Sequence, residues 1–435
     1  MTRSFTSYPI TDFDIIKQQM LNWANQFNIC CFLDNHNYNI SPHTYECILA
    51  VGADYLLEAR AADAFQQLQN FSDQHADWLF GHFGYDLKNE LEKLHSKNPD
   101  RIEFPDLLFF VPKVVLRLEK DKISIGSHSM HVDSVFRNIQ EISITSIRDS
   151  LSKSIDIQSR FTKQEYLDTI EELKEHIHRG DCYEINFCQE FFAENVSINP
   201  SSVYRHLVNV SPNPFSGYYK WNDRYLMCAS PERYLKKTGT QLLSQPIKGT
   251  SEREEDMEAD ELSRAALSAS VKERTENVMI VDLVRNDLSR VCKEGSVGVS
   301  ELFGVYAFPQ VYQMISTITG EMDESIHWVD AVRNTFPMGS MTGAPKKRVM
   351  QLIDEYERTR RGIFSGALGY VTPEKDFDFN VVIRSMMYNQ NAQYLSFQAG
   401  SAITYYSHPQ VEYEECLLKV EAIKKVLTRS GGQHA

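Results

Sequence analysis

Two residues near the middle of the chain, Glu232 in SPER and Lys248 in PIKGT, are of types that can act together as acid and nucleophile. They lie on predicted strand segments joined by YLKKTGTQLLS, and a hairpin there would bring them close together. A buried lysine loses its charge readily and can then attack carbon, with a nearby carboxyl as general acid. The alternative is an ordinary solvated lysine beside a turn, because lysine is rarely buried.

Two later segments each carry a pair of glutamates three residues apart, which places both carboxylates on one side of a helix. Glu273 and Glu276 belong to SVKERTENVMIVDL, and Glu412 and Glu415 belong to VEYEECLLKV. Pairs that face each other would form an oxygen-only site suited to Mg²⁺, which takes a few carboxylates, water and an anionic ligand. In a chain with a net charge of −14, the alternative is that all four are solvated helix residues.

The segment GSMTGAPKKRVMQLIDEYERTR, residues 339–360, has features of an anion site. Pro345 falls at the first helical turn, and Gly339 and Gly343 precede it, so that backbone amides can turn toward a carboxylate or phosphate. The segment does not match the phosphate-loop pattern, because Gly343 is followed by Ala-Pro-Lys. Arg384, inside the apolar strand NVVIRSMMY, needs an anionic partner, either a substrate carboxylate or a structural glutamate.

The elements that would position these residues are strands in blocks, with helices inserted in groups. Strands are predicted in CYEINFCQEFFAEN, SGYYKWN, RYLMCAS and several C-terminal runs, and a capping box at Thr162 and Glu165 starts a helix that ends near Gly180. The polar stretch 149–160 is the predicted boundary between an N-terminal part and the rest. This order indicates the α+β class with antiparallel sheets.

Composition excludes several classes of function. The net charge of −14 argues against nucleic acid as a partner, because phosphate binding needs clustered Lys and Arg. No window approaches 18 uninterrupted apolar residues and the N-terminus lacks a signal-peptide core, so we expect a cytoplasmic protein with no membrane contact. The eight cysteines show no CxxC spacing, which predicts reduced structural thiols.

Six motifs occur together and in one order: PIKGT, TENVMIVDLVRNDLSRV, GSMTGAPK, NVVIRSM, FQAGS and YEECLLKVEAI. In this combination the chain resembles the chorismate-utilising enzymes over residues 161–427, and more loosely at GHFGYDL and FPDLLFF. The resemblance is strongest to members that aminate chorismate at C4, on the branch leading to p-aminobenzoate and folate. It implies antiparallel sheets packed as a sandwich with helices outside, in a catalytic domain at 161–427 preceded by an N-terminal α+β region at 1–150.

The resemblance also implies roles for the reactive residues. Lys248 matches the lysine that adds to C2 of the chorismate ring, and Glu232 matches the acid that helps the C4 hydroxyl leave. Each remaining glutamate is assigned to a Mg²⁺ cofactor: Glu276 and Glu415 as ligands, with Glu273 and Glu412 as their supporting or alternate partners. The ion would hold the ring carboxylate.

Further positions match groups that bind the substrate. The amides around Gly343 and Ala344 would contact the ring carboxylate, and Arg384 with the amide of Gly400 would bind the enolpyruvyl carboxylate. The resemblance places Gln189 where isochorismate-forming relatives carry a lysine that activates water, so glutamine there suits amination.

The chain departs from the family pattern at three positions: Gln313 stands at a frequent histidine, Phe364 at a frequent tyrosine that contacts the enolpyruvyl carboxylate, and Ala402 at a frequent glycine. Because anthranilate-forming relatives usually have alanine where Lys248 stands, the lysine favours amination at C4 over C2. The alternatives are anthranilate- or isochorismate-type chemistry, and a chorismate-binding regulatory subunit without turnover.

The resemblance implies a partner as well as the substrates chorismate and ammonia. The chain shows no nucleophile elbow of a glutaminase, so a separate glutamine amidotransferase subunit is expected to supply ammonia. The stretch CCFLDNHNY lies about where relatives hold an effector pocket, but it carries no matching motif.

Overall fold

The computed structural model describes residues 3–38, 42, 44–144, 155–308 and 311–428. The predicted boundary at 149–160 therefore lies partly outside the described residues. The helices within them are α1 (Phe13–Ala24), α2 (Ala64–Gln74), α3 (Lys88–Glu92), α4 (Val132–Glu141), α5 (Lys163–His178), α6 (Pro200–Val210), α7 (Met257–Ala269), α8 (Val271–Ser289), α9 (Trp328–Thr335), α10 (Lys346–Tyr356) and α11 (Pro409–Thr428).

The strands of the N-terminal half are β1 (Phe5–Pro9), β2 (Ile29–Asp34), β3 (Cys47–Ala59), β4 (Leu79–Phe83), β5 (Leu107–Leu118), β6 (Lys122–Ser127), β7 (Gln158–Ser159), β8 (Glu184–Ala193), β9 (Phe215–Trp221) and β10 (Arg224–Ser230). Those that follow are β11 (Arg233–Thr238), β12 (Gln241–Gln245), β13 (Ile247–Glu252), β14 (Gly298–Ala307), β15 (Val311–Glu321), β16 (Gly343–Ala344), β17 (Ala367–Val371), β18 (Phe377–Asn380), β19 (Ser385–Asn389) and β20 (Tyr394–Thr404).

Every strand pairing among the described residues is antiparallel, so the predicted α+β class with antiparallel sheets is confirmed. Strands far apart in sequence pair with each other. β2 pairs with β9, and β4 pairs with β17, so strands of residues 1–150 and strands of the later part share one hydrogen-bonded network. The division into domains at 1–150 and 161–427 stays a prediction.

Apolar side chains are buried on both faces of the sheets, which gives two cores. Along β2, Cys31 belongs to one core and Cys30 and Phe32 belong to the other, as the alternation of side chains in a strand requires. The first core is filled largely by strand residues such as Phe109. The second lies beneath helices, represented by Tyr166 of α5. This is the sandwich with helices outside that the family resemblance implied.

Helices and turns with strong local sequence signals were predicted correctly. The capping box at Thr162 is formed, with Glu165 as its reciprocal partner, and α5 begins there. The turn between β11 and β12 at Gly239, which adopts φ 59°, makes the hairpin that joins Glu232 to Lys248. The segment that follows β13 contains α7, a helix absent from the sequence prediction, with Asp256 as its N-cap residue.

Two further expectations concern the whole chain. All eight cysteines are free, and seven of them are buried, as predicted for structural thiols. Among the helices of the described part, none has the length and apolar character needed to cross a bilayer.

Candidate active site

Lys248 lies on β13 and points into the protein rather than into solvent. Its Nζ donates a 2.8 Å hydrogen bond to Oε1 of Glu184 at the start of β8, and its side chain is only 10% exposed. Glu232, in the turn between β10 and β11, is also buried, and the charge of Lys248 acts on its carboxyl. The hairpin thus brings the predicted nucleophile and acid into one buried site.

The charge of the lysine differs from our expectation of a neutral amine. Burial alone would lower the pKa of Lys248, but the carboxylates of Glu184 and Glu276 outweigh burial and raise this pKa above its ordinary value. The prediction of an uncharged lysine is therefore wrong for the free enzyme. Burial raises the pKa of Glu232 to about 7, against the opposing charge of Lys248, so this carboxyl can both donate and accept a proton near neutrality.

Replacing Glu184 by glutamine is expected to lower the pKa of Lys248 by about one unit or more, because an opposite charge within 4–6 Å favours the charged amine. The measurement is the pH dependence of amine acylation at Lys248, followed by peptide mass spectrometry. Glu421→Gln is the matched control, since Glu421 pairs with the more exposed Lys425 at 2.7 Å and solvent screens that pair. An unchanged labelling midpoint at Lys248 would contradict the assignment of Glu184 as the dominant partner.

Glu276 of α8 and Glu412 of α11 face a common position. Nζ of Lys272 lies 3.9 Å from Oε1 of Glu276 and 3.6 Å from Oε1 of Glu412. The Glu412 side chain is 1% exposed, and both of its carboxylate oxygens lack a hydrogen-bond partner, as does Oε1 of Glu276. Burial raises the pKa of Glu276 to about 7. Unpartnered buried oxygens of this kind are ready to receive a cation.

The carboxylates fit a magnesium ion that relies on other ligands as well. Among the described residues, no three His, Cys, Asp or Glu side chains lie close enough together to enclose a metal ion. Mg²⁺ needs fewer, because it keeps several waters and is commonly bound by one or two carboxylates and an anionic substrate. Glu276 and Glu412 meet that requirement. The resemblance gave the second ligand role to Glu415, which is paired with Lys419 in this structure, and gave Glu412 an alternate role, so the choice of ligands stays a prediction.

The other two predicted glutamates lie in the same region with different surroundings. Oε1 of Glu415 lies 2.7 Å from Nζ of Lys419. Burial would raise the pKa of Glu415, but the positive charge of Lys419 outweighs burial and holds this pKa below its ordinary value. Nζ of Lys419 also donates to the Gly400 carbonyl at 2.9 Å. Glu273 lies beside Gly249, where its Oε2 would be 3.1 Å from an added Cβ. Gly249, next to Lys248, adopts φ 96°, which suits glycine.

Arg384, immediately before β19, and Gly400, on β20, both lie beside α11. Nη1 of Arg384 donates to the Lys419 carbonyl at 3.3 Å, and the residue adopts φ 53°, a strained conformation for a side chain of this size. A Cβ at Gly400 would lie 1.7 Å from the Phe187 carbonyl oxygen, so only glycine fits. The guanidinium of Arg384 has no carboxylate ion pair among the described residues, which leaves it available to an anionic ligand.

The loop before α10 is tied directly to the strand that carries Glu184. Gly343 and Ala344 form the two-residue strand β16, which pairs with Ile185 and Glu184 of β8. Gly343 adopts φ 144°, and a Cβ there would lie 2.1 Å from the Glu184 carbonyl oxygen. The predicted anion loop and the partner of Lys248 are therefore positioned by one strand pairing. Pro345 is the residue immediately before α10, close to its predicted place.

A buried ion pair links the loop before α10 to β8. Arg361 and Glu357 are 1% and 2% exposed and lie 2.6 Å apart. The Arg361 guanidinium also donates to the carbonyls of Met341, in the loop, and Asn186, in β8, at 2.6 and 2.7 Å. Glu357 in turn accepts the backbone N–H of Cys188 at 2.9 Å. The pair fixes the loop against β8.

Two predicted substrate-binding residues are not brought into the cluster. Gln189 is five residues from Glu184 in one regular strand, so their side chains point to opposite faces. The Gln189 amide instead lies 3.7 Å from the Cys416 sulfur. Phe364 is buried in the strand-rich core. Of the departures from the family pattern, Gln313 lies on β15 opposite Thr250 of β13, and its side-chain carbonyl has no partner.

Sequence reasoning missed Glu184, Lys272 and Arg361. A signal existed for Glu184, because a carboxylate beginning the apolar run INFCQEFF needs a partner once it is buried. Arg361 follows Glu357 by four positions, just beyond the end of α10, and nothing in the sequence shows that the two form a buried pair. The role of Lys272 depends on a helix 140 residues downstream in sequence, and no local pattern reports it.

Another pocket lies at the end of β2, and neither Lys248 nor any of the clustered glutamates is among its lining residues. Its lining includes Asp34, Tyr38 and Arg233, and Arg233 donates to both oxygens of Asp378. The stretch CCFLDNHNY thus borders a pocket, and an effector there stays an expectation.

The fold and the cluster of buried charges agree with the comparison to known families. Residues 29–425 match the family described as chorismate binding enzyme, and the chain belongs to that family. It is therefore a chorismate-utilising enzyme.

Individual relatives within this family are similar to the chain over most of their length. The chain is 34% identical to aminodeoxychorismate synthase component 1 of Escherichia coli K12, over 80% of this chain and 76% of that protein. It is 31% identical to the protein of that name from Bacillus subtilis 168, over 80% and 77%. Anthranilate synthase component 1 of Aquifex aeolicus is 30% identical over 80% and 74%.

Solved structures show the same fold. Anthranilate synthase component I of Streptococcus pneumoniae superposes with a TM-score of 0.78 at 26% identity, covering 89% of this chain and 94% of that one. The menaquinone-specific isochorismate synthase of Escherichia coli also gives 0.78, at 17% identity, over 98% and 95%, and at that identity the likeness concerns the fold.

Proposed function

We propose that the chain aminates chorismate at C4 with ammonia, giving 4-amino-4-deoxychorismate for p-aminobenzoate and folate synthesis. The observation that carries the proposal is the buried lysine at position 248, held by Glu184 and coupled to a carboxyl at Glu232 whose pKa is about 7. The relatives named aminodeoxychorismate synthase component 1 support the same reaction.

The first chemical step requires a neutral amine. Glu184 is placed to take the proton from Lys248 through their 2.8 Å hydrogen bond, after which the amine attacks C2 of the ring. A C2–N bond forms, the ring double bond shifts, and the C4–O bond breaks. Protonated Glu232 gives its proton to the departing hydroxyl, which leaves as water.

The second step restores the enzyme. Ammonia attacks C4, the double bond shifts back, and the Lys248 amine is expelled from C2. Glu232 takes a proton from the new C4 ammonium group, and Lys248 recovers its proton from Glu184. The sum is chorismate and ammonia giving the amino product and water, with both carboxyls returned to their starting states.

Holding the substrate is a separate task, because chorismate is a dianion and the chain carries a net charge of −14. Glu276 and Glu412 would hold Mg²⁺, with Glu415 and Glu273 nearby, and the ion would neutralise these carboxylates and attract the ring carboxylate. Arg384, lacking a carboxylate partner among the described residues, would bind the second carboxylate. The strand-paired loop at Gly343 would border the ring.

Ammonia is proposed to come from a separate glutamine amidotransferase subunit. The relatives carry the designation component 1, which implies a second component. Free ammonia at mildly alkaline pH should replace that subunit, because the unprotonated molecule is the nucleophile.

The test is identification of the product by mass spectrometry after incubating the chain with chorismate, ammonium and Mg²⁺. We expect 4-amino-4-deoxychorismate, formed only when ammonium is present, and no release of pyruvate. Anthranilate with pyruvate would show amination at C2, and isochorismate would show attack by water. Chorismate binding without any product would favour a regulatory subunit.

A further inference from the structure

Lys272, in the first turn of α8, occupies a central position between carboxylates of two helices. Its ammonium lies within 4 Å of Glu276 on its own helix and of Glu412 on α11. Glu412 is 1% exposed, and neither of its oxygens has a hydrogen-bond partner, so the lysine is its ion-pairing group. One ammonium group thus lies within ion-pairing distance of both glutamates, and the charge of Lys248 also acts on Glu276.

The surroundings of Lys272 differ from those of Lys248 in one respect. The Lys272 side chain is 45% exposed, whereas that of Lys248 is 10% exposed. A long flexible side chain with this access to solvent can move its ammonium into water at little cost. Neither ion-pair distance is as short as the 2.8 Å between Lys248 and Glu184, so Lys272 is held loosely.

We propose that Lys272 acts as an internal counter-ion that occupies the cation position between α8 and α11 in the metal-free enzyme and withdraws when Mg²⁺ binds. This inference rests on the proposed function, because Mg²⁺ is the ion that displaces it. A lysine and a divalent cation cannot share the same two carboxylates, since their positive charges repel at such short range. Lys272 therefore weakens metal binding while keeping the buried glutamates compensated when no metal is present.

The test compares Mg²⁺ binding to the full chain and its variants without substrate, by calorimetric titration and by the melting temperature as Mg²⁺ is added. Lys272→Gln is expected to bind Mg²⁺ about fivefold more tightly or better, because a competing charge is removed. In EDTA its melting temperature should fall, and the gain on adding Mg²⁺ should exceed that of the unmodified chain. Lys272→Arg keeps the charge and should bind as the unmodified chain does.

Lys425→Gln is the matched control, because Lys425 lies on α11 and its 2.7 Å ion pair is with Glu421, outside the cluster. The Mg²⁺ affinity of this variant should equal that of the unmodified chain. Unchanged or weaker Mg²⁺ binding by Lys272→Gln would overturn the counter-ion role and leave the proposed amination intact. If Glu276→Gln and Glu412→Gln bind Mg²⁺ as tightly as the unmodified chain does, the proposed metal site is wrong and this inference falls with it. Amination of chorismate can still be judged separately from the reaction product.

Discussion

Lys248→Met is expected to lose amination of chorismate at C4 by at least about a thousandfold, because the proposed mechanism has no other group that can attack C2 and release the C4 hydroxyl. Methionine resembles lysine in length and lacks the amine, so the site keeps its shape. Chorismate binding, measured by calorimetry in the presence of Mg²⁺, should persist, since the groups proposed to hold the two substrate carboxylates are unchanged. Retention of amination in this variant would exclude the covalent route.

The same substitution is also expected to destabilise the protein, and the structure offers a control that separates the two effects. Removing Lys248 leaves the Glu184 carboxylate buried without its partner, which costs about 3–5 kcal/mol when a buried pair is broken. The double variant Lys248→Met, Glu184→Gln replaces both charges and should recover most of that stability in urea unfolding. Its activity should stay absent. Recovery of activity together with stability would mean that Lys248 is structural.

Arg361→Met is also expected to lose about 3–5 kcal/mol of stability, because it leaves the buried Glu357 carboxylate without its partner and removes hydrogen bonds to two backbone carbonyls. Since one of those carbonyls is Met341 in the loop before α10, KM for chorismate should rise in whatever fraction remains folded. Urea unfolding and steady-state kinetics are the measurements.

Arg358 provides the comparison for this prediction, being a neighbouring arginine with an exposed ion pair. It is 45% exposed and pairs with Glu165 at 2.9 Å, and Arg358→Met should cost no more than about 1 kcal/mol. The double variant Arg361→Met, Glu357→Gln measures the coupling between the buried partners. If Arg361→Met proved as mild as Arg358→Met, the loop would not depend on the buried pair.

The sequence was sufficient to predict the placement of site residues where that placement depends on local interactions. The hairpin between Glu232 and Lys248 spans a short turn, and the glutamate pairs follow from helical spacing, so their approximate placement could be predicted. The charge of Lys248 could not, because it depends on Glu184, which reaches it through the pairing of β8 with β16 and the packing of β13. Long-range pairing of this kind leaves no periodic signal in either segment.

The position of Gln189 illustrates a second limit. A motif comparison aligns residues along a strand, but side chains alternate between faces, and a displacement by an odd number of positions changes the face. Gln189 and Glu184 are both polar residues of one apolar strand, and only the three-dimensional arrangement shows that Glu184 is the one facing Lys248. The exposed helix α7 was missed for a simpler reason, since Leu267 is its one buried residue and a single buried position leaves no helical periodicity in the sequence.

The pairing of β4 with β17 has a consequence for biosynthesis. A ribosome releases β4 early, yet the strand that pairs with it is made much later, with 284 positions between the partners Phe83 and Ala367 (367 − 83). Contacts of such wide separation are formed slowly, and an incomplete sheet exposes edges that invite association with other chains. The nascent N-terminal strands therefore need protection during translation, and a chain truncated before β17 would be a substrate for chaperones or proteases rather than a half-enzyme.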